Sequence, residues 1–135
     1  MPMIGALRPM KRWKEIREYI EEKNVEYDFF CADTANSIEC RALKYANEGY
    51  DTIVVIGGDG ALLDALNGLM ASCRAGEVAL GLVPNGIAND YAQYWGLSVG
   101  DYRMAVDNII AGRVRKVDVG CCSYYVDGVE AKRYF

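Results

Sequence analysis

The sequence predicts an α/β fold built on a layered parallel sheet. Three observations predict it. Thr52–Ile56 reads T-I-V-V-I, an unbroken β-branched run of the kind a strand shows when both its faces are buried. Helix-like and strand-like segments alternate over residues 1–112 in the order α-β-α-β-α-β-α. Two of the strand-like runs lead directly into loops rich in glycine, asparagine and aspartate that open helices.

Each element has its own signal. Trp13, Ile16 and Ile20 recur at helical spacing, and charges of both signs fill the rest of Lys11–Lys23, giving an amphipathic helix with a solvated face. Val25–Phe30 is short, aromatic and β-rich, so it reads as a strand. Asn36 followed by Glu39 has the form of a capping box, and Ile38, Ala42, Tyr45 and Ala46 continue a helical stripe that ends near Gly49. After Thr52–Ile56, the turn Gly57–Gly60 leads into a helix over Ala61–Met70. Val78–Val83 is the next strand, Pro84–Asn89 a loop and Asn89–Trp95 a short helix. Asp101 stands where it would cap a helix over Tyr102–Ala111, with Gly112 just past its end.

The pattern changes after Gly112. Arg113–Val119 reads as a strand with a basic start. Cys122–Val126 and Val129–Phe135 flank Asp127-Gly128, a strong hairpin signal. The expected organisation is an α/β domain over residues 1–112 and the first strands of an incomplete β-rich domain over residues 113–135.

Composition narrows the function. The 135 residues are 52% hydrophobic and 25% charged, a globular balance rather than a disordered one. No run of 18 apolar residues occurs, and no basic stretch leads into an apolar segment at the start. The net charge of −4 argues against a nucleic-acid binder that works by bulk charge, although local cations remain available for phosphates. Histidine is absent, which removes imidazole from any catalytic or metal-binding scheme. Cys31, Cys40, Cys73, Cys121 and Cys122 are odd in number and form no C-x-x-C pair, so reduced thiols and a cytoplasmic location are expected.

Two loops are candidates for chemistry. In Gly57-Gly58-Asp59-Gly60 the glycines allow a sharp turn and a close phosphate, and the following helix aims its N–H groups at the same place. Asp59 repels phosphate, so it suits Mg²⁺ or a substrate hydroxyl better. The second loop is Pro84-Asn85-Gly86-Ile87-Ala88-Asn89-Asp90, also between a strand and a helix. In a parallel sheet both loops lie at the carboxyl ends of strands, where ligands bind. Each loop alone also reads as a plain turn, with Asp59, Asn89 or Asp90 as the helix cap. The sequence contains no P-loop, and Leu63 stands where a dinucleotide fingerprint needs its third glycine.

The segment Val54–Leu69, V-V-I-G-G-D-G-A-L-L-D-A-L-N-G-L, resembles the GGDGT-L-N-E-V-x-N-G-L motif of diacylglycerol kinases and related lipid kinases. Pro84–Ala92 is similar to the P-L-G-T-x-N-D-F-A segment of that family, at matching separation. Asp118 in V-D-V-G, the hairpin and Arg133-Tyr134-Phe135 resemble the entry to its second domain. Pro2 and Gly5 can be laid on its N-P-x-S-G-x-G start.

The resemblance implies an ATP-binding domain of an enzyme that moves the γ-phosphate of ATP, with Mg²⁺, to a lipid hydroxyl. It implies that Gly57, Gly58, Asp59 and Gly60 hold phosphates and metal, with Asp59 at the chemistry and Asp64 in support. Gly86, Asn89 and Asp90 would shape the other wall. The lipid acceptor and a general base belong to the second domain, so this chain alone is expected to be inactive. A transient membrane contact follows from a lipid substrate.

Several positions depart from the family pattern. Ala61 and Ile87 replace threonines, Leu63 replaces an asparagine, Gln93 replaces a frequent arginine, and Cys31 stands near an expected threonine, with Thr34 as a substitute. Met1 replaces the asparagine of N-P, and the strand that should precede it is missing. These departures keep two alternatives open, a non-catalytic binding module and an NAD kinase-like enzyme sharing GGDG. Exposed sheet edges at both ends predict a homodimer or a domain-swapped assembly.

Overall fold

A computed structural model of the protein describes residues 3–6, 10–32 and 35–135. Strands β1 (Met3–Ala6), β2 (Phe29–Ala32), β3 (Thr52–Gly57) and β4 (Ala79–Pro84) form a parallel sheet in the order β2-β1-β3-β4. Helices α1 (Met10–Glu22), α2 (Ala35–Asn47) and α3 (Asp59–Met70) connect successive strands. α4 (Asp90–Tyr94), a short 3₁₀ turn at Val99–Asp101 and α5 (Tyr102–Ile110) follow β4.

β3 shows why its run is unbroken. Ile53 and Val55 face α2 and α3, among Ile38, Ala42, Ala65 and Leu69. Val54 and Ile56 face the other way, among Ile16 and Ile20 of α1 and Ala105 and Val106 of α5. All four are buried, each side chain contributing roughly 1.5–3 kcal/mol of transfer free energy. Alternate residues therefore serve two cores, one on each face of the sheet.

The strand order has a consequence for binding. The chain leaves β1 towards β2 and leaves β3 towards β4, in opposite directions along the sheet. The carboxyl ends of β1 and β3 thus flank a topological switch point, the usual ligand crevice of such sheets. The Gly57-Gly58 loop lies at this point.

β1 corrects the expectation of a missing first strand. Its four residues pair in parallel with both β2 and β3, so no edge is left there. Gly5 is a strand residue opposite Cys31 and Ile56, not part of a glycine loop; Met1, Pro2 and Thr34 lie outside the described residues. The short run M-I-G-A carries too little alternation to announce a strand.

Other boundaries move for local reasons. The strand expected at Val25–Phe30 is Phe29–Ala32; Val25 and Tyr27 pack beside the α1 core instead. Helix α2 already starts at Ala35, so Asn36 lies within it, and Glu39 is engaged by Arg133 rather than by a capping box. Asp101 accepts hydrogen bonds from the Ser98 N–H and Oγ, closing the 3₁₀ turn, and does not cap α5 through its side chain.

Arg113–Val119 forms no strand, contrary to its pattern, and is exposed along its whole length. No described strand pairs with it, and alternation alone does not supply one. The hairpin is as expected. β5 (Cys121–Val126) and β6 (Val129–Tyr134) pair antiparallel, and Asp127 and Gly128 both take positive φ at the two-residue turn. The five cysteines are free thiols, all exposed.

Candidate functional site

The two loops singled out in the sequence meet at the carboxyl ends of β3 and β4. Gly57 and Pro84 end the paired register, and the Asn85 N–H donates to the Gly57 carbonyl at 2.8 Å. Beyond that pair the backbones nearly touch. A Cβ added to Gly86 would lie 2.5 Å from the Gly58 Cα, and one added to Gly58 would lie 3.1 Å from the Gly86 Cα. These glycines are therefore required by contact between the loops themselves.

Asn89 fastens the second loop. It is buried, with φ of 56°, and its side-chain oxygen accepts the Gly86 N–H at 2.8 Å while its amide donates to the Gly86 carbonyl at 2.9 Å. Asparagine tolerates the left-handed conformation better than most residues because its short side chain can bond locally. Asn89 consequently does not cap α4 with its own side chain.

Asp59 does that from the other loop. Its Oδ2 accepts the Asp90 N–H at 2.9 Å and its Oδ1 accepts the Tyr91 N–H at 3.0 Å. Two of the orphan donors of α4 are thus satisfied across the junction, and the negative charge sits at the positive end of that helix. Asp59 ties the loops together, a role its residue type alone did not reveal.

The α3 N-terminus differs. Gly58 is its cap position and supplies no side chain, so the first-turn N–H groups meet no capping oxygen. A Cβ on Gly60 would meet nothing within 4 Å. The open space and the donors at Gly58–Ala61 are what an anionic ligand needs. On the far side of the second loop, a cleft of about 360 Å³ runs between Ile87–Asn89 and Ser98–Gly100.

Asp64 is turned elsewhere. Its Oδ1 accepts a hydrogen bond from Arg133 of β6 at 2.8 Å, and the same guanidinium reaches Glu39 of α2 at 2.7 Å. Burial pushes the Asp64 carboxyl above the usual range, although Arg133 pulls it down. Asn67 completes this second cluster. Its Oδ1 accepts the Tyr134 N–H and its Nδ2 donates to the Tyr134 carbonyl, both at 2.9 Å, so one side-chain amide pairs with the strand edge. Gly68, next in the motif, lies so close to α2 that a Cβ would stand 2.1 Å from the Glu39 carbonyl oxygen.

The motif therefore serves two places. Its first half, Gly57–Gly60, builds the crevice; its second half, Asp64–Gly68, holds the hairpin and α2. The sequence reading missed Asn67, Arg133 and Glu39. The signal was present in the fixed spacing of Asp64 and Asn67, which lie three residues apart and so on one helical face. The departing residues also find places. Ala61 is buried in the α2–α3 core, Leu63 is partly exposed and Ile87 is wholly exposed.

Residues 4–122 match the family model described as the diacylglycerol kinase catalytic domain. The chain belongs to that family. It is 28% identical over 119 residues to a diacylglycerol kinase of Bacillus subtilis, covering 88% of this chain and 39% of that protein. It is also 28% identical over 101 residues to one of Staphylococcus saprophyticus, covering 75% of this chain and 32% of that protein. The chain thus spans about a third of the length of these relatives.

A solved diacylglycerol kinase structure from Bacillus anthracis superposes with a TM-score of 0.76 at 19% identity, over 99% of this chain and 45% of that one. An NAD kinase from Archaeoglobus fulgidus, solved in complex with ATP, superposes with a TM-score of 0.52 at 16% identity. These likenesses establish a shared fold. Family membership rests on the sequence match.

Proposed function

We propose that this chain is the nucleotide-binding part of a lipid kinase. The observation that carries the reading is the uncapped α3 N-terminus at the switch point, with open space over Gly60, inside a diacylglycerol kinase catalytic domain match. The ATP phosphates lie against the N–H groups of Gly58–Ala61. Gly57 and Gly86 set the loop backbones, and Asn89 keeps the second loop closed against the first. Asp59 and Asp90 stand at the junction, where the Asp59 carboxylate faces the first N–H groups of α4.

The residues fit a Mg²⁺ that arrives with its nucleotide. No cluster of three His, Cys, Asp or Glu side chains occurs among the described residues. Mg²⁺ needs no such cage, since it keeps waters and phosphate ligands and takes one or two carboxylates. Asp59 is the carboxylate in place, while Asp64 is held by Arg133. When bound, the ion would neutralise charge on the phosphates.

In the transfer, a lipid hydroxyl oxygen forms a bond to the γ-phosphorus and the bond from that phosphorus to ADP breaks. The hydroxyl proton must go to a base. Asp59 is already committed to two backbone donors, and the resemblance assigns the general base to the second domain rather than to the exposed Asp90 at the junction. The isolated chain accordingly binds nucleotide without turning it over, and the diacylglycerol-type acceptor meets it only in a longer assembly. A non-catalytic module is the second reading, favoured by the hydrocarbon side chains of Ala61 and Ile87 where hydroxyls are expected.

Titration calorimetry with ATP and Mg²⁺, beside NAD and an Asp59→Asn variant, tests the proposal. Saturable ATP binding, weakened at least about tenfold in the variant through loss of a charge-assisted tie, is expected. No binding at millimolar ATP would favour the non-catalytic module. Preference for NAD would favour an NAD kinase-like activity.

A further inference from the structure

One charge cluster lies beside the proposed nucleotide crevice without belonging to it. Asp64 stands four residues after Gly60 in α3, so the two share a helix face, one turn or about 5.4 Å apart along the axis. The Asp64 Cα–Cβ bond tilts towards the N-terminus of α3, as every helical Cβ does. The side chain is only 17% exposed, so water screens its charge poorly. A carboxylate so placed opposes any anion at the first turn of the helix.

Arg133 answers that charge. Its Nη2 donates to Asp64 at 2.8 Å and its Nη1 to Glu39 at 2.7 Å. No other cation among the described residues pairs with either carboxylate. With Arg133 in place the three groups carry one net negative charge; without it two carboxylates stand uncompensated. We propose that Arg133 is a positioning residue for the nucleotide, cancelling through Asp64 a charge that would otherwise repel phosphate from the first turn of α3.

The arrangement makes phosphate affinity depend on a surface element. Arg133 belongs to β6, and the described hydrogen bonds from the hairpin to the α/β body are those of Arg133 and of Tyr134 with Asn67. β5 is exposed at every residue, and the segment Arg113–Val119 that leads to it is exposed as well. Lifting the hairpin removes the cation, so the crevice binds phosphate best with the hairpin docked. By reciprocity, bound phosphate favours docking by the same factor. Both terminal nitrogens of Arg133 are already engaged, so its action on phosphate runs through Asp64 rather than through contact. The inference rests on the nucleotide reading above.

A double-mutant cycle tests it, read by titration calorimetry of the intact chain with ATP and Mg²⁺. Arg133→Gln should bind ATP at least about tenfold more weakly than the parent. Asp64→Asn should bind it more tightly, and adding Arg133→Gln to Asp64→Asn should cost no more than about threefold. Arg133→Lys keeps the charge without the planar fork and should recover most of the loss, which a packing role would not allow. Parental affinity in Arg133→Gln would overturn the proposal. So would a double variant as weak as Arg133→Gln alone, since Arg133 would then act on the ligand or on the fold, and so would an Arg133→Lys variant as weak as Arg133→Gln. If the parent binds no ATP, the nucleotide reading falls and this inference falls with it. If the parent binds ATP and the cycle shows no coupling, this inference alone fails.

Discussion

Three glycines of the two motif segments carry different burdens. Gly86→Ala drives a Cβ into the Gly58 backbone, where neither side can yield as a side-chain tip would. The expected loss is about 1–3 kcal/mol, read as a lower midpoint in urea. Gly68→Ala meets the Glu39 carbonyl and should cost at least as much, by forcing α3 away from α2. Gly60→Ala meets nothing and adds helix propensity, so it should leave stability unchanged or raise it by up to ~1 kcal/mol. The same Cβ would occupy the space assigned to phosphate, so ATP affinity should fall. A Gly60→Ala variant that is more stable and still binds ATP normally would separate the crevice from the nucleotide.

At the scale of elements, the hairpin is attached through Asn67 and Arg133. Gly120 and Phe135 exchange N–H···O bonds, which leaves the Tyr134 N–H and carbonyl pointing outward to Asn67. Asn67→Ala removes both bonds and should cost about 1–3 kcal/mol, with faster hydrogen exchange at Tyr134. Asp64 adds a pH dependence. Its carboxyl is raised by burial, so its stabilising contribution is full below the ordinary carboxylate range and lost as pH rises through the folded value. Asp64→Asn keeps an acceptor for Arg133 and removes that cost, so its thermal midpoint should equal or exceed that of the parent at neutral pH. A clear fall would show that the ion pair outweighs burial.

The clasp between α1 and α5 has the opposite sign. Lys23 and Tyr19 both donate to Asp107 and hold its carboxyl below the usual range. Its contribution is present above the ordinary carboxylate pKa and is lost as pH falls through the folded value. Asp107→Asn should therefore flatten part of the acid limb of a pH–stability profile.

At the scale of the molecule, most of the fold was legible because burial imposes period. Thr52–Ile56 serves two cores and so lacks alternation, and Ile16, Ile20, Ile38, Ala42, Tyr45 and Ala46 fall where helix period puts them, all buried. β1 was not legible, since four residues between two other strands are fixed by pairing rather than by pattern. Arg113–Val119 erred in the other direction, having the pattern without a partner. In the site, glycine and aspartate announced the loops but not their division of labour. Whether Gly58 meets a phosphate or Gly86, and whether Asp59 meets a metal or a helix end, depends on which loops the sheet brings together. Asp64 follows the crevice loop closely in the motif, yet Arg133, 69 residues away, takes its carboxylate.

The central claim is that nucleotide phosphates rest on the first turn of α3. The most direct measurement is an amide nitrogen–proton correlation spectrum of the labelled chain, titrated with ATP and Mg²⁺. Saturable shifts at the amides of Gly58, Asp59, Gly60 and Ala61, with smaller ones at Gly86 and Asp90, are the predicted result. Shifts confined to other surfaces, or an unchanged spectrum at millimolar ATP, would contradict it.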